Sequence, residues 1–134
     1  MRKTLILTGA VTAALALTGC ASAGGNDAPP PSWFNASGTT FEGWARVQGD
    51  EIRLFQEERD LTLGFPGDCV SAALPRSVQE TARDVSSRKI RLTGRAVAWA
   101  ERDGAQTWNW QGTRITNLCG RDTIVLADRV EVVQ

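Results

Sequence analysis

The chain of 134 residues contains no histidine, and its three cysteines are too few for a tetrahedral zinc site. Histidine is the commonest general acid–base group, so its absence removes the usual acid–base and nucleophilic arrangements. The cysteines form no C-x-x-C pair, and no G-x-S-x-G motif or phosphate-binding glycine loop is present. We therefore expect a protein that is not an enzyme and that holds neither a metal nor a cofactor.

An excess of positive charge is also missing. Lysine plus arginine and aspartate plus glutamate number 15 each, and no basic cluster occurs. Domains that bind nucleic acid normally carry a basic patch, so no nucleic-acid partner is expected. The longest apolar stretch, residues 5–17, is shorter than the ~20 residues that a membrane-spanning helix requires.

The first nineteen residues have the pattern of an export signal. Arg2 and Lys3 precede the apolar stretch at 5–17. The next residues read LTGC and end at Cys20, and this tetrapeptide resembles the lipobox of bacterial lipoproteins. The resemblance implies cleavage before Cys20, a diacylglycerol on its thiol, an acylated new N-terminus and the membrane as a partner through this anchor. The alternative is an ordinary signal peptide that happens to contain a cysteine.

Residues 20–32 read as a flexible tether, because they contain no large apolar side chain and include three consecutive prolines. Ala21, rather than aspartate, follows the cysteine. In the lipoprotein family this favours the outer membrane, with the protein facing the periplasm. The remaining residues, 33–134, are long enough for one domain with a single modest core.

Cys69 and Cys119 remain as an even pair once Cys20 is assigned to the lipid. In an oxidising compartment such a pair is expected to form a disulfide. The bond would close a loop of about fifty residues and stabilise a small domain substantially.

Alternating apolar residues predict a mainly β domain. Residues 41–48 and 51–56 flank Gly49-Asp50, which indicates a two-residue hairpin turn. Such a turn places Trp44 opposite Phe55 on the outer face of the hairpin, with two arginines opposite each other beside them. Further strands are predicted at 61–65, 89–100, 107–117 and 123–133, and a helix of about ten residues is predicted to begin at 77.

The order of these elements resembles the OB fold, since three strands and a short helix are followed by IRLTGR at 90–95 and further strands. The resemblance implies a small OB-like antiparallel barrel of five or six strands with one short helix and one disulfide. OB barrels commonly bind oligonucleotides or oligosaccharides on one face, but a fold alone does not identify a ligand.

Three tryptophans near the C-terminus form one candidate binding surface. A two-residue turn at 103–104 would place Trp99 opposite Trp108, with Trp110 on the same face. A β-bulge at Gly94 would turn these rings into the core. Without the bulge they would form an exposed platform on which a ligand could stack.

The outer face of the first hairpin is the second candidate surface. Arg46 and Arg53 should repel each other there unless a carboxylate, such as Glu42 or Glu51, or an anionic ligand lies nearby. Aromatic rings beside arginines suit anionic or stacked ligands, whereas a solvated, salt-bridged surface is the alternative. The candidate ligand-binding residues are therefore Trp44, Arg46, Arg53, Phe55, Trp99, Trp108 and Trp110.

The sequence as a whole predicts a lipid-anchored, non-enzymatic binding or structural module of the cell envelope with an unidentified ligand. A module for a protein partner, such as an inhibitor or an envelope assembly accessory, is the alternative.

Overall fold

A computed structural model describes residues 27–62 and 68–133 of the chain, and these residues are mainly β. The strands are β1 (Thr40–Gln48), β2 (Glu51–Phe55), β3 (Cys69–Ala73), β4 (Lys89–Ala98), β5 (Trp108–Trp110), β6 (Thr113–Ile115) and β7 (Thr123–Val132). The helix α1 (Gln79–Asp84) and 3₁₀ turns at Glu58–Thr62, Arg76–Val78 and Trp99–Glu101 connect them. In the two described ranges, no helix has the length and hydropathy to cross a membrane.

Five strands close into a barrel in the order β1-β2-β3-β7-β4, and β4 returns to β1. Strands β3 and β7 run parallel, and the other neighbours in the barrel run antiparallel. With α1 between β3 and β4, this is the OB-like barrel that the strand order predicts. The short strands β5 and β6 pair with each other as an inserted hairpin, which accounts for the extra strand-like run in the sequence.

The first hairpin has the register that its turn predicts. Gly49 adopts a φ of +61°, which a two-residue hairpin turn requires and which glycine tolerates. Trp44 pairs with Phe55, and Arg46 pairs with Arg53. The alternate side chains fill the barrel interior, among them those of Ala45, Ile52 and Leu54.

The third strand is not at 61–65, where the sequence pattern placed it. Residues 61 and 62 belong to the turn Glu58–Thr62, residues 63–65 lie outside the described ranges, and β3 is instead Cys69–Ala73. All five residues of β3 are buried, so the strand lacks the alternation typical of a strand with one solvated face.

The predicted helix near residue 77 is present, but only its second part is α-helical. The turn Arg76–Val78 leads directly into α1, and together they span nearly the expected ten residues. Val85 is buried in the barrel core, and Val78 packs partly against it. The helix thus closes one region of the barrel, as its apolar spacing indicates.

A β-bulge is present beside Gly94, where the sequence predicted one, but the extra residue belongs to the partner strand β7 and not to β4. Thr93 pairs with Arg129 and Gly94 pairs with Ala127, so Asp128 is the extra residue of the bulge. The side chains of β4 therefore keep the same alternation between the inside and the outside of the barrel on both sides of Gly94. Glycine is needed at 94 for a different reason, because a Cβ there would collide with the carbonyl oxygen of Leu126.

The tryptophans of the C-terminal half belong to a second core on the outside of the barrel wall. Trp99 is buried in it, and Trp108 and Trp110 are partly buried. Trp99 lies in a 3₁₀ turn and Trp108 pairs with Ile115, so the predicted strand pairing of Trp99 with Trp108 is not formed. Their rings nevertheless come within 6.4 Å, measured between centroids.

The segment before β1 packs on the barrel from residue 28 onward. Ala28 forms a parallel bridge with Arg121, and the ring of Phe34 stacks on Phe41 with centroids 5.2 Å apart. Residues 28–32, which composition assigns to the tether, therefore contact the domain.

The disulfide between Cys69 and Cys119 is present as predicted, with Cα atoms 5.5 Å apart. It connects the beginning of β3 to the loop that precedes β7. This bond fixes that loop over the outside of the barrel.

Candidate ligand-binding site

The outer face of β2 and β3, which OB barrels commonly use for ligands, is filled here by the loop at 116–119. Glu51 holds this loop and is only 3% exposed. Its carboxylate accepts hydrogen bonds from the backbone amides of Thr116 at 2.8 Å, Asn117 at 3.0 Å and Leu118 at 2.5 Å. Successive amides that converge on one anion form a nest, and in this loop the anion is the chain's own side chain.

Ser71 and the disulfide extend this attachment. The hydroxyl of Ser71 donates to Glu51 at 2.9 Å and accepts from the amide of Cys119 at 3.0 Å. Phe55, Cys69 and Cys119 are buried together beneath the loop. A ligand could reach the outer face of β2 and β3 at this loop only by displacing the loop, so this part of the barrel is not the candidate site.

The part of the hairpin face that the loop leaves open carries two arginines side by side. Arg46 is exposed, and its Nη1 donates to the carbonyl of Leu61 at 2.8 Å. Arg53 is half-buried, with its guanidinium carbon 5.9 Å from the centre of the Phe55 ring. Its Nε is buried, and no acceptor in the described ranges bonds to it. Burial and then the charge of Arg46 lower the pKa of Arg53, while Glu51 opposes this shift.

No carboxylate forms an ion pair with either arginine of this pair. All 15 acidic residues lie within 27–62 and 68–133, and in those ranges none is within ion-pair distance of Arg46 or Arg53. Glu51 is the carboxylate that acts on the charge of Arg53, but both of its oxygens accept hydrogen bonds from the loop amides. The two guanidinium groups therefore lack a directly bonded counterion.

The neighbouring face of the barrel shows the contrasting arrangement. Arg91 of β4 lies between two carboxylates, with Nη2 2.8 Å from Glu42 and Nη1 3.3 Å from Glu131. Hydrogen bonds to Glu42 and then to Glu131 raise the pKa of Arg91. Glu42, which the sequence suggested as a neighbour for the hairpin arginines, is thus paired with a different arginine.

A cleft of about 500 Å³ opens beside Arg46. Its walls include Glu58 and Thr62 of the 3₁₀ turn and the consecutive serines Ser86 and Ser87. Ser87 adopts a φ of +68°. This left-handed conformation is uncommon for residues other than glycine and is enriched at functional sites.

A second cavity, of about 280 Å³, shares Ser87 with the first. It is lined by Trp44, by the exposed cations Arg88 and Lys89 and by Val132, which is 41% exposed. Neither cation forms an ion pair in the described part of the chain. The two cavities have Ser87 as a common lining residue, and we name the surface that they share the basic groove, defined by Trp44, Arg46, Thr62, Ser87, Arg88 and Lys89.

The chain matches none of the protein-family models, curated proteins or solved structures with which it was compared.

The structure separates the candidate residues into two groups. Trp44, Arg46, Arg53 and Phe55 lie together on the hairpin, although Phe55 is buried and cannot contact a ligand directly.

The second group consists of Trp99, Trp108 and Trp110. Arginines cover two of its rings, because the guanidinium of Arg102 lies 5.3 Å from the Trp99 ring and that of Arg95 lies 5.6 Å from the Trp110 ring. Trp99 is buried, so the half-buried Trp108 and Trp110 are the rings of this group that a ligand could reach, and Arg95 lies over the second of them.

Sequence reasoning missed four groove residues, namely Thr62, Ser87, Arg88 and Lys89. Thr62 lies in the segment predicted as the third strand, and the other three lie in a polar run at the beginning of the predicted strand 89–100. Lys89 pairs with Trp44 across β1 and β4, and this long-range pairing brings it to the hairpin face. A local pattern carries no signal for such a contact.

Proposed function

We propose that the protein is a lipid-anchored, non-enzymatic binding module of the cell envelope that takes an anionic ligand on the outer face of its first hairpin. The supporting observation is the pair Arg46 and Arg53, neither of which forms an ion pair with a carboxylate in the described ranges. Guanidinium groups form strong, often bidentate, hydrogen bonds with carboxylates and phosphates. They keep their protons under ordinary conditions, so the pair suits binding rather than proton transfer.

The anchor and the envelope location are supported by the first twenty residues alone. The export-signal pattern and the lipobox-like LTGC agree in position, and the residue after Cys20 favours an outer-membrane protein facing the periplasm.

A change of charge at Arg46 tests the ligand site. Arg46→Glu should abolish binding of an acidic sugar probe such as trigalacturonate while barely changing the melting temperature. The side chain is exposed, and relief of its repulsion with Arg53 offsets the lost hydrogen bond to Leu61. Calorimetric titration and thermal unfolding of the full chain would measure both effects.

Arg114→Glu is the matched control, because Arg114 is an exposed arginine of β6 outside the basic groove and the substitution changes the charge equally. Equal retention of the probe by the two variants would contradict the proposed site. A large loss of stability in Arg46→Glu would contradict the surface role given to Arg46.

Cys20→Ala tests the anchor. The variant should take up no labelled fatty acid and should appear as an uncut or soluble form, since the thiol that would receive the lipid is gone. Metabolic labelling followed by membrane fractionation would measure this. If variant and wild type are labelled equally, the chain is not a lipoprotein of this kind.

A protein partner is the second candidate, and the exposed Val132 beside Trp44 favours it. A stable protein interface buries ~1,600 Å² with an apolar centre, however. One valine and one half-buried tryptophan among three cations fall well short of that, so the anionic ligand is preferred.

A further inference from the structure

We infer that the ligand is an extended anionic glycan, a chain of acidic sugars that occupies the basic groove from Arg46 to Lys89. This inference rests on the proposed function, because it concerns the same face. It adds the chemical class of the ligand and the requirement that the ligand be longer than one sugar.

The length of the groove exceeds what a single small anion needs. The two cavities, of about 500 and 280 Å³, share Ser87 as a lining residue. Trp44 and Arg46 are two residues apart on one face of β1, which separates them by about 6.7 Å. Lys89 lies opposite Trp44 on the neighbouring strand. The tryptophan therefore has one cation beside it along its own strand and another across the sheet, an arrangement that suits a ligand with more than one acidic group.

The side chains of the groove match a sugar acid better than other anions. The ring of Trp44 can cover the apolar face of a sugar, and the cations can bind its carboxylates. The hydroxyls of Thr62 and Ser87 and the carboxylate of Glu58 can bond to sugar hydroxyls. Glu58 would repel a densely charged polyphosphate more strongly than a sugar acid, which carries one negative charge per residue. A single-stranded nucleic acid needs several stacking rings, and the groove offers the ring of Trp44 alone.

Hydrogen bonds from backbone amides hold the β1 backbone against residues 86–88 beneath the groove. The amide of Val47 donates to the Ser86 hydroxyl at 3.1 Å, and the amide of Ser87 donates to the carbonyl of Ala45 at 2.7 Å. The amide of Ala45 donates to the carbonyl of Arg88 at 2.9 Å. Because the backbone of the groove is ordered before binding, the entropic cost of binding is confined to the ligand and the groove side chains.

Oligogalacturonates of defined length test this inference by calorimetric titration of the full chain. Affinity should rise by about tenfold or more between the galacturonate monomer and the tetramer, because the longer chain also reaches Lys89, and should then level off. Neutral maltooligosaccharides of equal length should bind weakly or not at all. Polyphosphate of similar length should bind less tightly than the tetragalacturonate.

Substitutions at two exposed positions test the two ends of the groove independently. Lys89→Gln should lower the affinity for the tetramer by about tenfold and leave the affinity for the monomer nearly unaffected, whereas Arg46→Glu should abolish binding of both. Arg114→Glu should change neither. Thermal unfolding of each variant would establish that it is folded.

The outcomes distinguish failure of this inference from failure of the proposed function. If monomer and tetramer bind equally and Arg46→Glu abolishes both, a single-anion site remains and the extended glycan is wrong. If polyphosphate binds more tightly than the tetragalacturonate, the sugar class is wrong. If none of these anions binds, or if Arg46→Glu has no effect on them, the proposed function itself is wrong.

Discussion

Glu51→Ala is expected to lower the free energy of unfolding by about 3–5 kcal/mol, although Glu51 directly follows a surface turn. The carboxylate is buried and accepts hydrogen bonds from Ser71 and from three successive amides of the loop at 116–118. Its removal leaves those donors without their acceptor. Each such bond to a charged group contributes on the order of 1.5–3 kcal/mol, and these contributions are not additive.

Urea unfolding of the two variants Glu51→Ala and Glu57→Ala would measure this effect. Glu57 is an exposed glutamate whose partner is the exposed Arg59, so its loss should cost no more than about 0.5 kcal/mol. Glu51→Gln should fall between them, because its amide nitrogen cannot accept a hydrogen bond from the loop. If Glu51→Ala and Glu57→Ala are equally stable, the nest does not hold the loop.

Cys69→Ser is expected to lower the melting temperature by roughly 15–30 °C. The disulfide joins residues 50 positions apart in the chain. A loop of that length corresponds to about 4 kcal/mol of stabilisation through the restricted unfolded chain. In a domain of about a hundred residues this is a large share of the total stability.

Thermal unfolding followed by circular dichroism would test this prediction on the full chain. Cys119→Ser and the double variant should be destabilised by nearly the same amount, because each removes the same bond. In the wild type, neither Cys69 nor Cys119 should react with a thiol reagent until the protein is unfolded and reduced. Two readily titrated thiols at these positions would contradict the assignment.

The features that the sequence predicted correctly are those set by local chemistry. Gly49-Asp50 and the alternation around it define the turn, and the turn then determines that Arg46 faces Arg53. The disulfide follows from cysteine counting once Cys20 is set aside. These inferences need no knowledge of distant contacts.

The features that the sequence missed depend on contacts between distant segments. Strand β3 lacks alternation because the loop at 116–119 covers its outer face, and no local pattern reports that cover. Glu51 resembles a solvated residue next to a turn, yet the loop amides that it accepts from lie more than sixty positions away. Trp99 continues the alternation of β4 in sequence, but the chain enters a 3₁₀ turn at that residue.

Only part of the candidate site was predicted, because its other part depends on a contact between distant segments. The hairpin supplied Trp44, Arg46 and Arg53 from a local pattern. The opposite wall of the groove comes from Ser87 to Lys89, which reach the hairpin through the pairing of β1 with β4.

The parallel seam between β3 and β7 has a consequence for the kinetics of folding. Only Ala72 with Val125 and Ala73 with Leu126 are paired there, and about fifty residues of chain separate the partners. Contacts between such distant residues form late and slowly, because the loop-closure entropy is lost before any pairing is gained. The bond between Cys69 and Cys119 shortens the path between these partners to about ten residues. Oxidation therefore turns a long-range contact of the barrel into a nearly local one, and closure of the barrel becomes linked to the rate at which that bond forms.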